Sequence, residues 1–158
     1  MNKKIMIPVV LLGALGLGIQ LVPYGRNHAN PPVRREPQWD RPETRQLARR
    51  ACFDCHSNET KWPWYASVAP ASWFTQRHVD KGRRDLNFSE WDLPQKEAKK
   101  AVKELQQGKM PLPSYTLAHP QARLQPAEQQ LLIAGLKATL QGQSGTSRAR
   151  RHEDGDRE

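Results

Sequence analysis

Hydrophobic and polar positions change period several times along the chain, and each change marks an element. From 5 to 22, eighteen residues are apolar on every side of a helix, broken only by Pro8, glycines and Gln20. At about 1.5 Å per residue, such a run nearly crosses the roughly 30 Å hydrocarbon layer of a bilayer. Lys3 and Lys4 precede it and a polar stretch follows, the layout of an export signal or signal anchor. Pro23, Tyr24, Gly25 and Arg26 suit a cleavage site poorly. The reading is therefore an uncleaved transmembrane anchor over 1–23, lysines inside, although Arg26, Arg34 and Arg35 reduce the charge asymmetry.

Residues 24–39 read as a Pro-rich tether, extended and semi-rigid, that sets the following domain off the bilayer. The pattern turns helical at Asp40, with Pro42 and Glu43 in the first turn and Leu47, Ala48 and Ala51 on one face. A helix is predicted over 70–81, with Gly82 as its stop, and an aromatic-packed loop over 86–91. The clearest helix is 94–107. Ala98, Ala101, Val102 and Leu105 form its apolar side, Lys96, Lys99, Lys100 and Lys103 lie mostly opposite, and Gly108 closes it. A last helix starts at 125–128 and carries Leu131, Leu132, Leu136 and Leu140 toward the first helix of the domain. Periodicity then stops, so 141–158 reads as a disordered charged tail. One small all-α domain over 40–140 remains.

Composition changes this picture little. The net charge is +9, from 25 basic and 16 acidic residues. Residues 1–35 hold five bases and no acid, 36–140 hold sixteen bases and twelve acids, and 141–158 hold four of each. The domain is thus only +4, without a long basic run or a nucleic-acid module, which sets nucleic acid aside as a partner. The excess reads as a solvated surface first, and second as a patch for an acidic redox partner.

Candidate chemistry centres on Cys52-Phe53-Asp54-Cys55-His56, which contains the only two cysteines in 158 residues. Two thiols three apart, followed directly by histidine, form the attachment pattern of c-type haem. Each thiol can add to a vinyl group, and the imidazole lies next to them as proximal iron ligand. A disulfide would leave His56 idle. A thioredoxin-like pair wants a βαβ context, and zinc wants four ligands where no second cysteine cluster exists. Haem attachment accounts for all three residues, and it occurs on the exported side of a membrane, in agreement with the anchor.

The second candidate is Met110. Met1 and Met6 lie in the anchor, so Met110 is the one thioether the domain can offer to iron, and Pro111 and Pro113 stiffen its loop. The competing reading is a soft core filler. His119 is the alternative distal ligand and would give a lower potential than methionine. His78 reads as a surface histidine and His152 as free in the tail. All five tryptophans precede residue 92, crowded with Phe53, Tyr65, Phe74 and Phe88. They read as a core that a covalent haem would help to fill, so the apo-protein is expected to be poorly folded.

In these motifs the chain resembles the bacterial haem-binding domain family, small exported CxxCH proteins related in layout to class I c-type cytochromes. The resemblance is carried by Ile-Gln-Leu-Val-Pro at 19–23, Cys-Phe-Asp-Cys-His-Ser at 52–57 and Trp-Pro-Trp-Tyr at 62–65. It continues in Leu-Asn-Phe-Ser-Glu-Trp at 86–91, Lys-Met-Pro at 109–111 and His-Pro-Gln-Ala-Arg-Leu at 119–124. Gln125 and Pro126 stand where the family usually has acid or serine. The resemblance implies an all-α, cytochrome c-like domain with one covalent haem c, and supports Met110 as distal ligand.

The combined expectation is an inner-membrane monohaem c-type cytochrome, its domain facing the periplasm, that transfers single electrons to an unidentified redox partner. It is more an electron carrier than an enzyme. The alternative is a peroxidase-like or small-ligand-sensing protein with an open distal site, where His119, His78 or Arg123 would serve. A gas-binding four-helix haem bundle fits less well, since there the attachment motif stands near the end of the domain.

Overall fold

Helix α1 (Lys3–Gly18) follows from the apolar run, and a short 3-10 turn at Ile19–Leu21 ends it. The computed structural model describes residues 3–95 and 97–155, with side chains described between 4 and 141. The segment Lys4–Leu21 is long and apolar enough to cross a membrane, and its apolar side chains are exposed.

The domain is all-α. It is built from α2 (Pro42–Ala51), α3 (Phe53–His56), α4 (Ala71–Asp85), α5 (Ala98–Gln106), α6 (Pro113–Ala118) and α7 (Pro126–Gly155). Among the described residues there is no strand, only an isolated parallel bridge between Arg35 and Glu90. Pro42 and Glu43 open α2 as predicted, with proline in the first turn where no donor is missed. Helix α5 begins at Ala98, and Lys96 lies outside the described residues. The predicted tail follows the backbone of α7 as far as Gly155. Residues 156–158 and the side chain of His152 lie outside the described residues.

Besides the later start of α5, at Ala98 rather than at Pro94, two stretches differ from the sequence reading. Helix α4 passes through Gly82 and stops at Asp85, because Gly82 is a contact glycine rather than a cap. A Cβ there would fall 2.3 Å from the Cys55 carbonyl oxygen, so the missing side chain lets α4 lie directly on α3. Gly82→Ala is therefore expected to destabilise the haem-loaded protein by about 1–3 kcal/mol, as overpacking does. Thermal unfolding checks this, and an unchanged midpoint would contradict the close contact. The second difference is α6. The stretch after Met110 reads as a loop, yet Pro113 starts a helix of six residues that is too short to show a period.

Helices α2 and α7 pack as expected. Gly135 lies against Thr44, whose Oγ1 would be 2.0 Å from an added Cβ, and Arg50 pairs with Glu128. The buried cluster joins Ala48 of α2, Phe53 of α3, Val102 and Leu105 of α5, and Leu132, Ile133 and Leu136 of α7 with Leu86 and Phe88. Phe88 is its aromatic hub, with Phe53 at 5.5 Å, Trp91 at 5.8 Å and Trp39 at 5.2 Å between ring centroids.

Segment 24–39 is extended, but it runs along the domain instead of standing free. Arg34 and Arg35 donate main-chain N–H groups to Ser89 O, and Trp91 donates back to Arg35 O. Asn30 Nδ2 donates to Thr60 O, and Glu36 takes two bonds of 2.6 Å from Arg45. These partners are largely main-chain groups, which give no sequence pattern, so a strap looks like a tether when read from prolines alone.

Candidate functional site

The motif is presented by α2 and α3. Cys52 is the hinge residue between them, and its carbonyl accepts the N–H groups of Cys55 (3.1 Å) and His56 (2.9 Å). That single turn places Cys52, Cys55 and His56 around one depression. The thiols are not bridged. Burial pushes Cys52 up to about 12, with the neighbouring Cys55 adding to the shift, and pushes Cys55 up to about 11, with Asp54 adding. Such thiols are neutral at physiological pH, unlike reactive thiolates of low pKa.

His56 is oriented by α4. Its Nδ1 lies 3.0 Å from both Gly82 O and Leu86 O, two acceptors that require Nδ1 to carry the proton. Nε2 is then the bare nitrogen, and such a second-shell bond fixes tautomer and ring orientation as it does for metal-ligating histidines. Burial lowers the His56 pKa and so favours the neutral ring, which is the ligating form. Below the ring a polar network holds the chain. Phe88 N–H donates to His56 O (2.8 Å), Asn58 N–H to Ser89 Oγ (2.9 Å), and Arg83 Nε to Ser57 O (2.8 Å).

A cavity of about 410 Å³ opens beside His56, walled by Cys52, Leu86, Phe88, Leu105, Met110 and Leu136. Its rim carries Lys81, Asp85, Glu97, Lys100 and Glu104, charges of both signs. A second cavity of about 180 Å³ shares Ala51, Cys52, His56, Met110 and Pro111 with the first and adds Cys55, His78 and Tyr115. The residue set fits a haem. It offers two unbridged thiols, an imidazole with its outer nitrogen already bonded, and an apolar slot of ligand size.

Met110 lines both cavities together with His56. His119 does not. It lines a separate groove of about 160 Å³ with Tyr65 and Tyr115, its Nε2 3.4 Å from Tyr65 Oη and its ring stacked on Tyr115 at 4.3 Å. His78 lines the second cavity and this groove, half-buried, with Nδ1 2.8 Å from Phe74 O. Arg123 donates to Thr116 O and lines none of the three. Of the crowded aromatics, Phe88 lines the main cavity while Trp39, Phe53 and Trp91 pack behind it.

The sequence reading missed a latch across the site. Tyr115 Oη donates to Asp54 Oδ2 at 2.6 Å, tying α6, and with it the Met110 loop, to the attachment motif. Burial and then the Asp54 hydrogen bond raise the Tyr115 pKa, so the phenol stays protonated and donates. Asp54 lies inside the motif, but nothing in its spacing signals a partner at 115.

A family model described as a haem-binding domain matches residues 14–138. No curated protein and no solved structure matches the chain.

Proposed function

The chain belongs to the haem-binding domain family, and we propose that it is a membrane-anchored monohaem c-type cytochrome that carries single electrons on the periplasmic side. The observation that carries this reading is the pairing of His56 and Met110 on the same two cavities, with Cys52 beside them and Cys55 on the second.

Each part follows from the residues. Cys52 and Cys55 would hold a haem covalently, each thiol having added across a vinyl group so that sulfur takes one carbon and the S–H hydrogen the other. His56 offers Nε2 to the iron because Gly82 O and Leu86 O take its Nδ1 proton. Met110 would supply a thioether to the iron, and the Tyr115–Asp54 bond steadies its loop. At the rim Lys81 pairs with Asp85 and Lys100 with Glu97, so a propionate there would have to draw a lysine away from its carboxylate. The bound group supplies a one-electron redox couple. With His56 and Met110 both engaged, the chain would leave no position for a substrate, which suits transfer rather than catalysis.

Anchoring rests on Lys4–Leu21, the N-terminal helix that is apolar enough to cross a membrane. Lys3 and Lys4 at its start favour a cytoplasmic N-terminus, which puts the domain and its thiols in the compartment where c-type haem is attached. The redox partner is a protein that the exported domain can reach.

Met110→His tests the ligand pair. It is expected to leave haem bound and low-spin but to lower the midpoint potential, because thioether ligation raises it relative to a second imidazole. A redox titration of both proteins checks this. An unchanged potential would remove Met110 from the iron.

A further inference from the structure

Gln20 is the one amide in the apolar run 5–22, and an unsatisfied polar side chain at the end of a membrane helix is costly. Its amide is satisfied by the domain. Nε2 donates to Ala69 O at 2.9 Å, while Oε1 accepts the Ala69 N–H at 3.0 Å, and Nε2 also reaches Gly16 O at 3.1 Å. Just beyond, Gly25 at φ 79° presses on Ser72, where a Cβ would fall 2.5 Å from the carbonyl oxygen. Tyr24 Oη lies 3.5 Å from Asp80 Oδ2, and His28 Nε2 lies 3.0 Å from Ala66 O with its ring stacked on Trp62 at 4.7 Å. The exit of the anchor is thus fastened to the corner made by the 3-10 turn Trp64–Ser67 and the start of α4, with no free linker between them.

A span that ends at Leu21 therefore brings Ala69 to the depth of its own last turn. Three large apolar side chains near Ala69 in the chain are uncovered: Trp64 is 81% exposed, Phe74 55% and Val68 46%. Arg26 donates to Gln20 O, which sets a cation at the same level. Tryptophan, apolar side chains and arginine together are the composition of a surface at the headgroup boundary.

We propose that this corner, with Trp64, Val68 and Phe74, rests in the headgroup–acyl boundary of an anionic bilayer and holds the haem domain against the membrane in one orientation. The proposal rests on the reading of α1 as a membrane span. Lipid is the occupant because the Gln20–Ala69 pair fixes the corner next to the end of that span.

The test uses the haem-loaded full chain in vesicles of phosphatidylethanolamine and phosphatidylglycerol that carry a phospholipid with a diazirine high on its acyl chain. After illumination, labelled peptides are mapped by mass. Label is expected on the tryptic peptide 5–26 and on 62–77. Trp64→Ser/Val68→Ser, at exposed positions, is expected to lose most of the label on 62–77 with haem content and 5–26 labelling unchanged. Gln20→Leu, which removes both bonds to Ala69, is expected to lower the 62–77 label as well. Label on 5–26 alone, or a 62–77 label that ignores the double substitution, would overturn the proposal and leave the anchor intact. Absence of label from both peptides would instead show that α1 is not in the bilayer and would overturn both.

Discussion

Replacing Cys52 and Cys55 together by alanine is expected to abolish covalent haem, leaving none on the chain after denaturation and acidic acetone extraction. The two positions hold every sulfhydryl in the protein, both are unbridged, and both border the space beside His56. Removing them deletes both thioether bonds while taking away only two small side chains. Each single substitution leaves one bond and so retains some covalent haem, which separates loss of attachment from failure to fold. Haem staining after denaturing electrophoresis reads the outcome. A double variant that still carried haem through denaturation would mean that attachment runs through some other residue.

The haem-free chain is expected to lose its cooperative fold. The cavity of about 410 Å³ is bounded by Leu86, Phe88, Leu105 and Leu136, all of which belong to the buried hydrophobic cluster described above. The cleft is open to solvent on its charged side, so only the part that stays dry costs the roughly 24 cal/mol per Å³ of an empty cavity, about 3 kcal/mol for a third of it. A domain is stable by about 5–15 kcal/mol in all, so that loss is a large share of a small margin. Calorimetry and near-ultraviolet circular dichroism of the double alanine variant, prepared without haem, should show no sharp transition and little fixed aromatic packing. A haem-free melting temperature within a few degrees of the loaded protein would show that the helices close their core unaided.

Side-chain chemistry made some of this legible in advance. Cys52, Cys55 and His56 stand in a contiguous motif whose spacing is itself the geometry of one turn. Pro42 and Glu43 at α2, and the leucines of α7, announce their helices through capping and period. What stayed hidden is carried by main-chain groups and by close approach. The acceptors for His56 are the carbonyls of Gly82 and Leu86, and a carbonyl has no residue signature. Gly82 reads as a helix stop because glycine there fits either role, and only the contact with Cys55 decides between them.

The strap over 24–39 was hidden largely for the same reason, since Ser89 O and Thr60 O hold it, and its side-chain pairs Glu36–Arg45 and Arg34–Asp92 have no spacing that announces them. Gln20 is the reverse case. Its amide is conspicuous in an apolar run, yet its partner at Ala69 lies 49 residues away and is backbone. Met110 stood out as the domain's one thioether, and the fold separates it from His119 by placing the two in different cavities.

The most direct test of the account is the optical spectrum of the haem-loaded protein and of Met110→Ala, oxidised and reduced, with and without carbon monoxide. A wild type closed by His56 and Met110 shows a far-red sulfur-to-iron charge-transfer band when oxidised and takes up no carbon monoxide when reduced. The variant loses the band and binds carbon monoxide. A wild type that is high-spin and binds carbon monoxide as readily as the variant would mean an open iron, and would contradict the reading of this protein as an electron carrier.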